Sequence, residues 1–212
     1  MKQCNELVPF LKEMFFRFGG EYKEFNLFGF RDPSGTMSDV FNDILGYTRG
    51  DECFIDWGTT DPGKSGILNP VTVGGITGAA FLKPGLHKGM WKVGEHGIHN
   101  PSFKHKAWVQ VGAVEIYRDR NKNGVIDSAD ILTRGVYGIN RHRASKAKLA
   151  EFIGPYSIGC QVYQSASSLE QELNAFESTD MFKANNAVSV DYLLAEMNEI
   201  AFDVKAFLKG EI

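Results

Sequence analysis

Two residues of this chain have the types and the spacing that cysteine acyl transfer needs. Cys160 ends the segment Ser157-Ile158-Gly159-Cys160, and His142 ends an apolar strand-like run with seventeen residues between it and the cysteine. A thiol attacks a carbonyl as the thiolate, which an adjacent imidazole can generate or stabilise. Cys160 and His142 are therefore the first candidates for chemistry in this sequence.

The turn before the cysteine can supply the second requirement of acyl transfer, a set of main-chain donors for the oxyanion. Gly159 has no side chain to block close approach of a substrate, and it tolerates backbone angles that turn successive N–H groups outward. Such donors stabilise the negative charge that develops on the tetrahedral intermediate.

Residues 135–163, GVYGINRHRASKAKLAEFIGPYSIGCQVY, resemble the catalytic core of the L,D-transpeptidase family. That family has a His, some fifteen residues, and then Ser/Thr-His-Gly-Cys. Here Ile158 replaces the second His, and Gln161 and Val162 follow the cysteine where the family has an apolar residue and then Arg. In these features the chain is similar to phage-borne relatives of the bacterial cell-wall enzymes.

The resemblance implies a mixed β-sandwich in which the Cys and the His face each other across a cleft. It implies Cys160 as nucleophile, His142 as general base, the N–H groups of Gly159 and Cys160 as oxyanion-hole donors, and Ser157 as an ordering residue. Members of the family cut the L,D bond of the peptidoglycan stem tetrapeptide through a thioester, which an amine or water resolves. Peptidoglycan stem peptides are the implied partner, and no cofactor is required.

Four further residues are predicted to bind substrate. Arg141 and Arg143 flank His142, and either can take over the charge of the arginine that the family has after its cysteine. Trp91 and His96 lie in the preceding glycine-rich stretch, and we expect them to line the substrate cleft.

A zinc-dependent peptidoglycan peptidase is the enzymatic alternative. Its ligands would come from the histidine cluster His87, His96, His99 and His105. Catalytic zinc sites commonly place two His on one helical face, and the glycines and proline around this cluster disfavour a helix. A surface loop is the expected setting of His87 and His105.

Residues 119–130, DRNKNGVIDSAD, match the spacing of a calcium-binding loop. Its candidate ligands are the side chains of Asp119, Asn121, Asn123 and Asp130 and the carbonyl of Val125. The alternative is a plain hairpin turn closed by side-chain to backbone hydrogen bonds. Any metal here is expected to be structural.

The hydrophobic pattern predicts a single α+β domain covering residues 1–212. A helix at 6–18 lies in an N-terminal segment (1–20), a β-rich catalytic body follows (25–165), and helices fill 167–210. Within that last region, Ser167 and Glu170 form a capping box, and an apolar stripe predicts a helix over 188–210 that ends at Gly210.

Composition excludes several other classes of protein. The formal net charge is −3, with no clustered basic face for nucleic acid, and no apolar run is long enough to span a bilayer.

The N-terminus lacks the pattern of a signal peptide, so we expect synthesis in the cytoplasm and action on the cell wall after release, as in phage lysis. Three cysteines are too few for a disulfide framework. A non-catalytic phage structural or wall-binding protein remains the alternative from a different class.

Overall fold

The computed structural model describes residues 1–34, 36–99, 101–200 and 202–211. Its strands are β1 (Lys2–Gln3), β2 (Phe25–Arg31), β3 (Asp43–Arg49), β4 (Glu52–Thr59), β5 (Thr72–Val73), β6 (Ile76–Thr77), β7 (Ala79–Leu82), β8 (Gly85–His96), β9 (His105–Gln110), β10 (Val114–Asp119), β11 (Ile131–Gly135), β12 (Arg141–Arg143), β13 (Gln161–Tyr163) and β14 (Val190–Glu196). Its helices are α1 (Val8–Arg17), α2 (Lys64–Leu68), α3 (Ala166–Glu177), α4 (Asp180–Ala184) and α5 (Val204–Lys209).

The main sheet closes on itself. Its strand order is β1-β4-β13-β12-β9-β8-β14-β2-β3, and β3 pairs with β4 to complete the circuit. Most neighbours are antiparallel, but β12 with β13 and β14 with β2 are parallel. A second sheet has the strand order β11-β10-β7, and strands β5 and β6 form a separate hairpin. The chain passes from β7 of this second sheet to β8 of the main sheet, and later from β11 to β12. The β-rich α+β class predicted from the sequence is confirmed.

The two faces of the main sheet have separate cores, because side chains alternate along each strand. On β2, Phe25 packs with Trp108 and with Phe176 of α3, whereas Phe28 and Phe30 face the opposite side with α1. Helix α1 confirms the predicted N-terminal helix, and it begins one residue before Pro9, as expected for a first-turn proline.

The prediction of a helix over 188–210 is wrong. Residues Val190–Glu196 form β14, which lies between β8 and β2 and is largely buried. A strand covered on both faces is apolar almost throughout, and such a run resembles a buried helix in sequence. Only α5 is helical in this region, and it ends at Gly210, which adopts the left-handed conformation (φ 79°).

Two smaller expectations also need correction. Helix α3 begins at Ala166 after Ser165, whose side chain makes no cap hydrogen bond, so the capping box of Ser167 and Glu170 does not form. Cys4 and Cys53 form a disulfide between the N-terminal segment and β4, where none was expected. Cys160 is consequently the free cysteine of the chain. No helix in the described residues is long and apolar enough to cross a membrane.

Candidate functional site

Parallel strands β12 and β13 bring Cys160 and His142 to the same face of the sheet. The register pairs Arg141 with Gln161 and His142 with Val162, and the Gln161 N–H donates to the Asn140 carbonyl at 2.8 Å. Because side chains alternate along a strand, His142 and Cys160 point to one face and Arg141 to the other. The cysteine and the histidine are thus diagonal neighbours on adjacent strands.

His142 is held in one neutral tautomer. Its Nδ1 lies 2.8 Å from the Arg143 carbonyl, which can only accept, so Nδ1 carries the proton. Nε2 then holds the lone pair, and it has no hydrogen-bond partner among the described residues. Burial, together with the nearby His96, holds the pKa of His142 well below its usual range. A neutral imidazole with an unused lone pair is the form that a general base requires.

Two other imidazoles pack against His142. His96 stacks on it face to face, with ring centroids 3.8 Å apart and planes inclined by 13°, and His105 approaches it edge-on at 5.8 Å. The Asn140 side chain fixes His96: its Oδ1 accepts from the Gln110 N–H, so its Nδ2 donates to His96 Nδ1 at 3.0 Å. Burial lowers the pKa of His96 to about 4, so this ring is also neutral.

Arg143 lies at the edge of this imidazole cluster. Burial is the largest cause of the lowered pKa values of His96, His105 and His142, and the Arg143 charge adds to each of them. Arg143 also lines a groove of about 280 Å³ with His105, Lys106, Leu169, Glu170, Leu173 and Asn174. Arg143 and His96 therefore lie beside the candidate base, and their binding of a substrate stays a prediction.

The Cys160 thiol is protonated at neutral pH. It is partly exposed and packs against a small apolar cluster that contains Ile153 and Val162. Burial raises the pKa of the thiol to about 11, although a hydrogen bond from the Asn140 main chain acts in the opposite direction. The Cys160 Sγ–H points at the Gly138 carbonyl, 3.5 Å away, rather than at His142.

The turn before Cys160 is closed by Ser157. The buried Ser157 hydroxyl accepts from the Gly159 N–H (3.1 Å) and donates to the Cys160 carbonyl (2.8 Å). Gly159 has a φ of 133°, and a Cβ at this position would lie 2.6 Å from the Ala80 carbonyl oxygen, so no other residue fits. Because Ser157 engages the Gly159 N–H, the Cys160 N–H is the better candidate for an oxyanion donor.

Arg141 and Trp91, the other two predicted substrate-binding residues, are core residues instead. Both are fully buried. Arg141 forms an ion pair with Glu172 of α3 and donates to the carbonyls of Phe28 and Gly46, each at 3.0 Å. The Trp91 indole N–H donates to the Ile139 carbonyl at 2.7 Å. Neither side chain can meet a substrate from these positions.

Of the four proposed zinc ligands, His96 and His105 come together, with ring centroids 5.4 Å apart. The His87 ring donates from Nε2 to the Lys83 carbonyl (2.9 Å) and stacks on Tyr192, apart from the His96 cluster, and His99 is exposed in the turn after β8. In the described part of the chain, no group of three or more His, Cys, Asp or Glu side chains is arranged to hold a metal ion.

Residues 119–130 connect β10 to β11 as a closely hydrogen-bonded turn. The buried Asp119 carboxylate accepts from the N–H groups of Lys122 (2.7 Å), Asn123 (3.3 Å) and Gly124 (2.9 Å). Further polar contacts within the loop run between Asn121 or Asn123 and Asp127, between Val125 and Asn123, and between Asp127 and Asp130. The Lys122 ammonium donates outside the loop, to the Leu68 carbonyl. The bonds within the loop are those that the plain-turn interpretation requires, and calcium binding stays a prediction.

Sequence reasoning missed Asn140, whose side chain binds His96 beside His142. Asn140 directly precedes β12 and lies two positions before His142, so side-chain alternation along an extended chain places it on the same side as the histidine.

No protein-family model, curated protein or solved structure matches this chain. The fold and the site define a β-rich α+β domain with a cysteine and a neutral histidine on one face of two parallel strands. Its function is therefore inferred from the chemistry of these residues.

Proposed function

We propose that this protein is a cysteine peptidase or acyltransferase of L,D-transpeptidase type that acts on peptidoglycan stem peptides. The observation that carries the proposal is the state of His142: its proton is held on Nδ1 by the Arg143 carbonyl, and its bare Nε2 shares a sheet face with Cys160. A buried histidine that serves only packing normally has both ring nitrogens satisfied. The motif resemblance of residues 135–163 supplies the substrate class.

The protonation states favour general-base catalysis over a preformed ion pair. With a thiol pKa of about 11 and a neutral imidazole, both partners are uncharged at pH 7. The Cys160 side chain turns from the Gly138 carbonyl toward His142, and Nε2 takes the Sγ proton as sulfur attacks the substrate carbonyl. The Cys160 N–H stabilises the oxyanion.

The remaining steps return the enzyme to its starting state. Collapse of the tetrahedral intermediate breaks the C–N bond, and the protonated His142 gives its proton to the leaving amine. A thioester of Cys160 remains. Nε2 then takes a proton from water, or from an acceptor amine, as that nucleophile attacks the thioester, and the proton passes to the departing Cys160 sulfur.

Hydrolysis is favoured over cross-linking for a lysis protein, which would make this chain an L,D-carboxypeptidase or endopeptidase of a phage endolysin. The Cys4–Cys53 disulfide supports action outside the reducing cytosol, on the wall that the enzyme reaches after release. No cofactor takes part in this chemistry.

Mass spectrometry of purified muropeptides incubated with the protein tests the proposal. We expect the wild-type protein to release the terminal residue of the stem peptide or to exchange it, and Cys160→Ala to do neither. His99→Ala, which changes an exposed turn residue, is the matched control and should keep full activity. Unaltered muropeptides with the folded wild-type protein would favour a non-catalytic wall-binding role. Activity that survives complete Cys160 alkylation but is lost in EDTA would favour the zinc alternative.

A further inference from the structure

Asn140 lies between the candidate nucleophile and the stacked imidazoles. The parallel register pairs Arg141 with Gln161, so the residues before them, Asn140 and Cys160, lie opposite each other. The Asn140 carbonyl accepts from the Gln161 N–H at 2.8 Å, and a further main-chain hydrogen bond of Asn140 reaches the thiol. The main chain of Asn140 is therefore fixed beside the cysteine.

The buried Gln110 fixes the Asn140 side chain from the other side. The Gln110 N–H donates to Asn140 Oδ1 at 2.9 Å. The Gln110 side-chain oxygen accepts from the N–H groups of Tyr137 (3.0 Å) and Ile139 (2.8 Å), which lead into Asn140. Because Oδ1 already accepts a hydrogen bond, the orientation of the amide is determined, and Nδ2 is the donor that faces the imidazoles.

This amide makes the one hydrogen bond of the His96 ring within the described residues, from Nδ2 to Nδ1 at 3.0 Å. His96 is the half-buried last residue of β8, just before the turn that leads to β9. Stacking on His142 sets the separation of the two rings, but it leaves a ring able to slide and turn in its own plane. A hydrogen bond depends on direction and prevents this movement. Asn140 therefore anchors the His96 ring.

The His142 ring needs such a neighbour, because its own hydrogen bonds do not fix it. Nδ1 donates to the carbonyl of the next residue, Arg143, and Nε2 has no partner among the described residues. The His96 ring covers one face of His142, with ring centroids 3.8 Å apart, and His105 meets it edge-on at 5.8 Å. The position of the bare Nε2 thus depends on His96 staying in place.

We propose that Asn140 is a positioning residue of the candidate catalytic pair, which anchors the His96 ring as the surface against which the His142 imidazole packs. This inference rests on the function proposed above and adds a residue to its site. Because the main chain of Asn140 is bonded beside Cys160, the same residue sets the base and the nucleophile relative to each other. A misplacement of about 1 Å between reacting groups can cost about 100-fold in rate.

Two substitutions of Asn140 test the anchor by kinetics on muropeptides. Asn140→Ala should lower kcat by about 10- to 100-fold with KM almost unchanged, because the amide orients the base and does not bind substrate. Asn140→Asp has the same shape and still accepts from the Gln110 N–H. The His96 proton can move to Nδ1 and be donated to the new carboxylate, so this variant should recover most of kcat. Equal losses in the two folded variants would overturn the anchor.

A double-mutant cycle tests whether Asn140 acts through His96. His96→Ala should lower kcat by a similar factor, and Asn140→Ala added to it should cause little further loss. Urea unfolding of each variant checks that it is folded. Losses that multiply in the double variant would show that Asn140 acts independently of His96, which contradicts the proposal.

The His96 tautomer is a readout that does not depend on turnover. We expect ¹⁵N NMR to find the His96 proton on Nε2 in the wild-type protein and on Nδ1 in Asn140→Asp. A wild-type His96 with its proton on Nδ1 would overturn the anchor, whether or not muropeptides are altered. Failure of the folded wild-type protein to alter muropeptides would instead remove the proposed function, and the catalytic role of Asn140 with it, even with the expected tautomer.

Discussion

His142 stacks face to face on His96, with ring centroids 3.8 Å apart and planes inclined by only 13°. Two protonated imidazoles at this separation repel each other strongly, and Arg143 adds a third positive charge nearby. Burial is the main cause of the lowered pKa of His142, and the stack on His96 lowers it further, so the ring is neutral and able to accept a proton.

Neither ring of this stack should titrate in the physiological range. Burial lowers the pKa of His96 to about 4 and holds that of His142 well below its usual value. We expect the NMR chemical shifts of both imidazoles to stay constant between pH 5.5 and 8. A transition near pH 6.5 in His142 would contradict the neutral-base mechanism.

Removal of His142 should slow the reaction without unfolding the protein. General-base assistance contributes roughly 10²- to 10⁴-fold, so His142→Ala should lose activity by that factor at pH 7. The residual rate should rise with pH as thiolate forms, up to the thiol pKa of about 11.

Because the pair acts as a unit, His142→Ala combined with Cys160→Ala should be scarcely worse than Cys160→Ala alone. Kinetics on muropeptides at several pH values provide the measurement, with His99→Ala as the control. Near-normal turnover of His142→Ala at pH 7 would mean that another group is the base.

The Cys160 thiol should react slowly with iodoacetamide in the free enzyme. With a pKa of about 11, only about one molecule in ten thousand carries the thiolate at pH 7. The alkylation rate should therefore rise about tenfold per pH unit from pH 7 to 10. Labelling under non-reducing conditions reports on this residue, because Cys4 and Cys53 are paired. Fast labelling that is constant with pH would indicate a thiolate–imidazolium pair instead.

Stability should fall as the pH rises toward 8. The buried Asp61 carboxyl lies beside Arg31, with 2.8 Å between Oδ1 and the arginine Nε. Burial raises the pKa of Asp61 to about 8; the Arg31 charge opposes this shift, and the charges of Asp43 and Glu196 add to it. The folded state thus holds a proton that the unfolded chain releases near pH 4. Its contribution is complete below that pH and is lost as pH increases through 4–8, by at most about 1.4 kcal/mol per unit.

Asp61→Asn isolates this effect. The amide imitates the neutral acid in both states, so the variant should match the wild type near pH 3, below the pKa of the unfolded carboxyl, and exceed its unfolding free energy at pH 8. Urea unfolding at both values measures the difference, and the exposed Asp51→Asn should leave the pH dependence above pH 5 unchanged. Equal pH dependence in wild type and Asp61→Asn would show that Asp61 ionises normally.

The Asp119 carboxylate should contribute to stability rather than to catalysis. It accepts three main-chain N–H groups of its own loop, so Asp119→Ala should lower the free energy of unfolding by about 2–3 kcal/mol. The exposed Ser128→Ala in the same loop should have no measurable effect.

Calcium distinguishes the two interpretations of this loop. The twelve-residue spacing predicts that a hundredfold excess of calcium over its dissociation constant adds about 2.7 kcal/mol to stability, and that Asp130→Asn reduces the gain. Thermal melting with calcium and with EDTA measures it. Identical melting curves in millimolar calcium and in EDTA would favour the plain-turn interpretation over calcium binding.

Features that depend on a few consecutive residues could be predicted from the sequence alone. The helix α1 follows from the spacing of its apolar residues and from Pro9, and Gly210 ends α5 because it tolerates a positive φ. His142 and the Ser-x-Gly-Cys turn could be chosen as candidates in the same way, because that choice depends on residue types and spacing, and their catalytic pairing stays a prediction.

Features that depend on residues far apart in the sequence could be determined only from the tertiary structure. Val190–Glu196 is a strand because β8 and β2 bond both of its edges, and Arg141 is a core residue because Glu172, thirty-one positions away, neutralises it. The neutral state of His142 has the same origin. Burial and the identity of packed neighbours set a side chain's charge and its unused hydrogen bonds, and neither quantity is encoded in local sequence.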